Sequence, residues 1–515
     1  MKKLLLVQPK SPETHWKMSG LVGRFNKALM PPLSLATIAA LTPKQYEIQI
    51  VDEDVDSIDF DVPCDLVGIT GYTVHSERMF QIAAEFRKRN ILTVAGGSFV
   101  SSHMKECVNH FDVLICGEAE KVWPQFLLDW EKGKYQEYYE GEKDLDLSIS
   151  PVPRWDLLDL KRYDTMMVQT SRGCPYDCEF CDVVSLFGHR MRCKPLENIM
   201  KEIQLLEKLS KNRIFLADDN LIGNKGFVTE LLTRLIEFNH ELSGPLQYMT
   251  QVTLNVAQDE TLLDLFKEAN FFSIFIGIET PNKKSLVETN KIMNLRLDMT
   301  EAVERIQSRG IFIMSGLVVG FDSDDLSTFD LQTEFLIEAG LIAPMPVLLS
   351  APNGTKLWER LNREGRLLNS KLDSAASSYT SNFTPKNMTR EELDDNYLAM
   401  FRNISSYPHF LKSFATLINQ IDTSKTNKNS PLTLQNRTRY LLNDILGICF
   451  IVMHFFIKGN KESRTFILTI FKVALRKGFR GLYLVANTLV LFIAQIAFLK
   501  VMEDRKISES IPKAA

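Results

Sequence analysis

Three of the eight cysteines in this chain fall within eight consecutive residues, Cys174, Cys178 and Cys181 in "RGCPYDCEFCD". They follow directly on the apolar run "TMMVQTS". Three chemistries use thiols packed this closely. A tetrahedral zinc site needs a fourth Cys or His, and Cys193 and His189 are near enough in sequence to be considered. A disulfide leaves one thiol over and is disfavoured in a reducing compartment. Three thiolates on a four-iron cluster leave one iron open to a further ligand. The Cys-x3-Cys-x2-Cys spacing leaves the cluster and the zinc site both open. Cys64, Cys107, Cys116, Cys193 and Cys449 are scattered, as ordinary buried or half-buried thiols are.

The setting of this motif bounds its chemistry. A chain of 515 residues is too long for one ordinary core and implies two or three domains. With 24% charged and 45% hydrophobic residues it has the profile of a folded protein. A net charge of -4 gives no reason to expect a nucleic-acid partner, which would favour a basic stripe. The apolar part of "MKKLLLVQPK" is too short for a signal peptide, so it reads as a first strand in a cytoplasmic protein.

Residues 1–140 alternate strand and helix signals. The strand candidates are "KLLLVQP", "YEIQIVDED", "DLVGITGY", "LTVAGGS" and "DVLICGEAE", with helical patterns such as "SERMFQIAAEFRKR" between them. This rhythm predicts an α/β domain with a doubly wound parallel sheet, whose strand-end loops gather at the carboxyl edge where such sheets bind ligands. Gly96 and Gly97 lie in one of these loops, as a tight turn or a cofactor cradle. Residues 141–164 belong to a charged, Pro-punctuated stretch that reads as a linker crossing the surface. From 165 to 379 six further βα units predict a partial (β/α)6 TIM-type barrel, with functional groups at the carboxyl ends of its strands. The three cysteines follow the first of these strands. Residues 380–515 are expected to form a helical C-terminal domain, opened by a capping box at Thr389 and Glu392.

Other polar residues sit at strand ends. Asp218, Asp219 and Asn220 end the second barrel strand, as helix caps or as a site wall. Glu279 ends "FIGIE", where a charge directly after an apolar strand points at the rim of a site. Asp322 in "VVGFDSD" competes with plain turn capping.

The motif "RGCPYDCEFCD" resembles the signature of the radical S-adenosylmethionine (radical SAM) superfamily. The likeness continues in "FLADDNLIGNK" (215–225), "FIGIETPNKKSLVETNK" (275–291) and "IMSGLVVGFDSD" (313–324). "LLSAPNGTKLWERLNREGRLL" and "NFTPKNMTREEL" resemble a subgroup that joins a cobalamin-binding-type domain, a radical SAM core and a helical domain. That subgroup includes hopanoid methylases and archaeal enzymes that build tetraethers and ring GDGT lipids. The resemblance implies that Cys174, Cys178 and Cys181 hold a [4Fe–4S] cluster whose fourth iron binds S-adenosylmethionine. Reductive cleavage, fed by an external donor such as flavodoxin or ferredoxin, then yields a 5′-deoxyadenosyl radical. Phe180, Asp218 and Glu279 become candidates for the cofactor pocket. The resemblance also implies cobalamin on the first domain. No Asp-x-His-x-x-Gly is present, and His75 lacks the flanking Asp and Gly, so cobalt is expected to have no histidine below it.

The function implied is methylation of an unactivated carbon on a small molecule or lipid. Carbon–carbon coupling or ring formation with the same cofactors is an alternative. A methylthiotransferase would need a second cysteine set and a basic RNA-binding appendage, and neither is evident. A zinc-binding scaffold is the non-catalytic alternative. In the tail, Gly481–Leu499 is nearly uncharged and borderline for crossing a bilayer. Lys472, Arg476, Lys477 and Arg480 interleave with apolar residues before it. That pattern suits peripheral contact with the inner membrane face, against a packed helix or a true span.

Overall fold

A computed structural model of the chain describes residues 1–12, 28–209, 211–368, 381–422, 453–457, 459–475 and 478–510. These residues fall into two compact units. The first holds residues 1–12, 28–223, 350–368 and 381–384, the second 224–349 and 385–510, as far as each is described.

In the first unit, β1 (Lys3–Gln8), β2 (Glu47–Asp52), β3 (Leu66–Thr70), β4 (Leu92–Gly96), β5 (Val113–Cys116) and β6 (Tyr138–Glu140) form one sheet. The order is β2-β1-β3-β4-β5-β6, every pair parallel. The reason lies in the apolar runs. Leu5 and Val7 pack with Met79, Phe86 and Phe99 in one buried cluster, while Leu4 and Leu6 pack with Leu35, Trp123 and Phe126 in another. Successive side chains of a strand point to opposite faces. An uninterrupted "LLLV" therefore fills both layers, as a strand covered by helices on both sides must. Each fully buried aromatic here contributes on the order of 2–3 kcal/mol of transfer free energy. The strand order turns back beside β1, so loops leaving β1 and β3 diverge at the carboxyl edge and open a crevice.

The stretch read as a surface linker is docked instead. Trp155 and Tyr163 are fully buried, and the Tyr163 hydroxyl donates to Asp52 Oδ2 at 3.0 Å. Two aromatics eight residues apart leave no periodic signal for a sequence reading to find. Beyond them, β7 (Met166–Val168) is followed by a short antiparallel hairpin of β8 (Ser171–Arg172) and β9 (Arg192–Cys193). The cysteine loop is the hairpin's connection. β10 (Arg213–Leu216) runs parallel to β7.

The second unit carries the remaining βα units. β11 (Gln247–Val252), β12 (Phe271–Glu279), β13 (Phe312–Val319) and β14 (Ala343–Leu348) lie side by side in chain order, all parallel. Helices Glu260–Glu268, Met299–Gln307 and Ser327–Glu338 connect them. The expected barrel strands are thus present, two in the first unit and four in the second. After them, helix Arg390–Ile404 starts with the expected box, in which Thr389 and Glu392 bond each other's backbone N–H. Helices Tyr407–Gln420, Lys461–Ala474 and Gly478–Ser510 pack around Phe410, Phe414, Phe466, Ile470, Leu489 and Phe492. The apolar tail therefore places Val485, Leu489, Phe492 and Phe498 in a core. No helix among the described residues is long and apolar enough to cross a membrane. Cys449, Arg476 and Lys477 lie outside the described residues.

Candidate functional site

The cysteine loop is fixed at both ends by backbone demands. Gly173 has φ 93°, and a Cβ there would stand 2.6 Å from the Arg190 carbonyl oxygen, so the position takes only glycine. Its N–H donates to Asp219 Oδ2 at 3.0 Å. Asp218 lies one strand over and is fully enclosed. It accepts from Thr170 N (3.0 Å), Thr170 Oγ1 (2.7 Å), Ser171 Oγ (2.9 Å) and Ser171 N. Burial nevertheless outweighs these four donors and pushes its pKa up to about 6. Asp218 thus holds the hairpin that presents the cysteines, and Asn220 Nδ2 approaches Cys174 Sγ at 4.0 Å. Of the expected strand-end polar trio, all three act on this one loop.

Inside the loop the cysteines and Phe180 are half-buried, and the Cys181 N–H donates to the Cys178 carbonyl at 3.1 Å. None of the described cysteines forms a disulfide. Among the described residues, no three His, Cys, Asp or Glu side chains converge closely enough to hold a single metal ion. Thiolates on one zinc stand less than ~4 Å from each other, since each is about 2.3 Å from the metal. A four-iron cluster takes each thiolate on a different iron and does not require them to meet. Three accessible thiols on one anchored loop fit such a cluster. Cys193, the candidate fourth ligand, lies in β9, where burial pushes its thiol pKa up to about 11.

Two sets of charges that the sequence reading missed support this loop. Between the cysteines, Glu179 accepts from Arg360 Nε (2.6 Å) and Nη2 (3.1 Å), and Asp177 pairs with Lys356. Lys356 and Arg360 are one turn apart on helix Lys356–Arg363, and that i,i+4 pair was the available signal. On the other side, Arg172 donates to Glu118 Oε2 (2.8 Å) and Glu120 Oε1 (2.6 Å). Arg192 holds Glu118 from β9, at 2.5 Å. The side chains are 12% exposed or less. Burial alone would raise Glu120, but the charge and hydrogen bond of Arg172 prevail and hold its pKa below the usual range. Charges inside "SRGC" and "GEAEK" were the trace in the sequence.

Glu118 follows β5, so this network reaches the carboxyl edge of the first sheet. Other loops of that edge come to the same place. His103, after β4, has its pKa lowered chiefly by burial, with Asp182 among the charges it feels. The Tyr72 hydroxyl, after β3, is raised by burial, then by Asp219 and Asp182. The residue as a whole is 64% exposed. Gly97 (φ 96°) is a packing glycine, since a Cβ would stand 2.4 Å from Thr70 Oγ1. Gly96 packs beneath it on the Ile115 carbonyl. His75 is buried. Its Nδ1 accepts from Tyr72 N at 3.0 Å and its Nε2 lies 3.2 Å from Ser11 Oγ.

In the second unit, Glu279 ends β12 with φ 65°, just past a slip in register against β13. Such a bulge re-aims a side chain. Glu279 Oε1 receives Lys291 Nζ at 2.8 Å, and both residues are buried. Gly277 makes room, because a Cβ there would stand 2.3 Å from Glu279 Oε1. The Asp322 N–H donates to Glu288 Oε1 at 2.7 Å. The carboxylate that organises "VVGFDSD" is Asp324, which accepts from Gly320 N, Phe321 N and Ser285 Oγ.

A cysteine-bearing loop after the first strand of a parallel βα series, preceded by a doubly wound sheet, is the arrangement that the resemblance to radical SAM enzymes implied. Residues 168–330 match the model of the Radical SAM superfamily, and residues 355–507 that of a domain of unknown function (DUF4070). The chain is 34% identical over 407 residues to Uncharacterized methyltransferase sll1242 of Synechocystis sp. (strain ATCC 27184 / PCC 6803 / Kazusa), covering 78% of this chain and 75% of that one. It is 33% identical over 348 residues to Hopanoid C-2 methylase of Rhodopseudomonas palustris (strain TIE-1), covering 66% of each. Among solved structures, the cobalamin-dependent S-adenosylmethionine radical enzyme OxsB shares the fold with a TM-score of 0.62 at 14% identity, over 100% of this chain and 82% of that one. This chain belongs to the radical SAM superfamily and, within it, to the family of the Synechocystis methyltransferase.

Proposed function

We propose that this protein is a cobalamin-dependent radical SAM methylase acting on an unactivated carbon of a lipid. The observation that carries the reading is the meeting, within one unit, of the first sheet's carboxyl edge with the cysteine loop. Tyr72, His103 and Glu118 each come from a different strand-end loop and all face Asp182, Asp219 or Arg172 beside the cysteines. When bound, the cluster and S-adenosylmethionine supply a radical that takes hydrogen from carbon, and cobalamin supplies the methyl group.

The chain's own residues position and exclude. Cys174, Cys178 and Cys181 hold the cluster, and Phe180 walls it between the last two. Asp218 sets the hairpin, and within the second unit Glu279, re-aimed by its bulge and paired with Lys291, is the carboxylate that the family resemblance assigns to S-adenosylmethionine. The loops after β3 and β4, with Gly96 and Gly97 shaping the latter, cradle cobalamin. Both ring nitrogens of His75 are engaged, with Tyr72 N and Ser11 Oγ, so His75 would not serve as a metal ligand for a bound cobalamin. A one-electron donor such as flavodoxin or ferredoxin feeds the cluster from the cytoplasm. The lipid assignment rests on the likeness to the hopanoid methylase, and a lipid substrate implies contact with the inner membrane face.

The test is anaerobic turnover of the reconstituted, cobalamin-loaded protein on lipid extract from a strain lacking it. The S-adenosylmethionine carries a deuterated methyl group. The expected result is 5′-deoxyadenosine, S-adenosylhomocysteine and a lipid bearing the label. Formation of 5′-deoxyadenosine with an unlabelled, cyclised or coupled product would overturn the methylase reading. Zinc in place of iron would overturn the radical reading altogether.

A further inference from the structure

Helix Lys461–Ala474 has an orderly core face. Ser463, Phe466, Ile467, Ile470 and Ala474 are buried, and at 100° per residue they occupy one side of the helix. The opposite side should be polar. It carries Leu468 and, just past the helix, Leu475, each 60% exposed. Arg464, Leu468, Lys472 and Leu475 follow one another at intervals of four, four and three residues, so they form a stripe. Lys461 lies on the same arc, whereas Glu462 projects elsewhere.

The stripe continues onto the turn before the helix. Arg464 Nε donates to the Phe456 carbonyl oxygen at 3.0 Å, which sets Phe456 and Ile457 at its upper end. Ile457 is 72% exposed. Single exposed apolar residues need no explanation. Two leucines in line with three cations and no carboxylate on that arc, next to exposed Phe456 and Ile457, do.

We infer that this face docks on an anionic membrane surface. Leu468, Leu475, Ile457 and Phe456 enter the boundary between headgroups and acyl chains, while Lys461, Arg464 and Lys472 meet lipid phosphates. An interfacial helix sinks its apolar side roughly 5–10 Å into that layer. Each basic residue near an anionic surface favours binding by roughly fivefold. Charge selects this occupant over a second copy of the chain. A symmetric pairing would set three cations against the same three, with no acid on the arc to meet them. The surface differs from the apolar stretch 481–499, where Leu489, Phe492 and Phe498 are buried. The inference deepens the lipid-methylase reading by naming the surface through which the enzyme reaches its substrate, and it rests on that reading for its purpose.

The test is flotation of the full-length reconstituted protein with phosphatidylglycerol vesicles, with phosphatidylcholine vesicles as comparison. Binding is scored without turnover, so this inference and the methylase reading can fail separately. Wild-type protein is expected to float with the anionic vesicles at low salt and to stay behind with the zwitterionic ones. Leu468→Gln/Leu475→Gln and Lys461→Glu/Arg464→Glu/Lys472→Glu should each reduce the bound fraction at least tenfold. Both variants should keep the wild-type circular dichroism spectrum, since every altered side chain is exposed and the charge variant gives up only the surface bond of Arg464 to the Phe456 carbonyl oxygen. In an otherwise native chain, Leu475→Trp should shift its emission to the blue on adding anionic vesicles. No flotation of the wild type, or equal flotation of both variants, overturns the inference. So does a dimer that Leu468→Gln/Leu475→Gln dissolves in the absence of vesicle binding.

Discussion

Glu118→Gln is the substitution that probes most directly how the cysteine loop is anchored. Glu118 accepts from two arginines, Arg172 at 2.8 Å and Arg192 at 2.5 Å. The amide keeps the volume and one oxygen but removes the charge. Arg172 retains Glu120 at 2.6 Å. Arg192 does not fare as well, since it keeps the carbonyl oxygens of Leu145 and Phe187 as acceptors and only the more distant charge of Asp219. Its side chain is 7% exposed, so its charge cannot turn to water. Breaking one partner of a buried pair costs about 3–5 kcal/mol, and the surviving oxygen places this case near ~3 kcal/mol. For a unit of this size, 1 kcal/mol moves the melting temperature by roughly 2–4 °C, so a fall of about 6–12 °C is expected. Arg172 leads directly into Gly173 and Cys174, so iron uptake on reconstitution should fall with it. Adding Arg192→Met removes the orphaned charge and should recover part of both losses, a coupling of about 1–2 kcal/mol. Calorimetry on the four proteins of the cycle, with iron content measured alongside, checks this. A Glu118→Gln protein melting within about 1 °C of wild type would behave like a surface substitution and refute the reasoning.

Two further outcomes are expected. Replacing Cys174, Cys178 and Cys181 together by Ala should remove the broad visible absorbance and all 5′-deoxyadenosine formation. Cys193→Ala should change neither, and a full four-iron complement in the triple variant would sink the assignment. The pH dependence of stability should carry the mark of Asp218. Its pKa is raised from the ordinary 3.8 to about 6 in the folded protein, so the folded state holds the extra proton between those values. Its contribution is complete below about pH 4 and is lost as pH rises through about 6, a change of up to about 3 kcal/mol. Buried Asp52, also raised to about 6, acts in the same sense. Urea unfolding from acid to neutral pH should therefore fall less steeply with rising pH in Asp218→Asn than in wild type. Equal slopes would contradict this assignment.

What the sequence disclosed and what it withheld follow from the range of the interactions involved. Strands such as "LLLV" and helices such as 196–208 and 299–307 announce themselves because their burial pattern repeats within a few residues. The cysteines were legible for the same reason, as all three act within one short loop. What escaped were partners joined across long stretches of chain. Glu118 meets Arg172 across 54 residues, and Glu179 meets Arg360 across 181. Nothing local marks either end beyond a charge where solvent would ordinarily be expected to take it. Asp322 and Asp324 are a finer case. Both stand in the same turn, and a sequence cannot say which carboxylate faces inward, because the answer depends on Ser285 arriving from another element. The tail errs in the opposite direction. Its apolar composition was visible, but composition does not say which side faces a core. Leu468 on the helix before it and Leu475 just past that helix, both exposed, carry the surface that the longer apolar stretch does not.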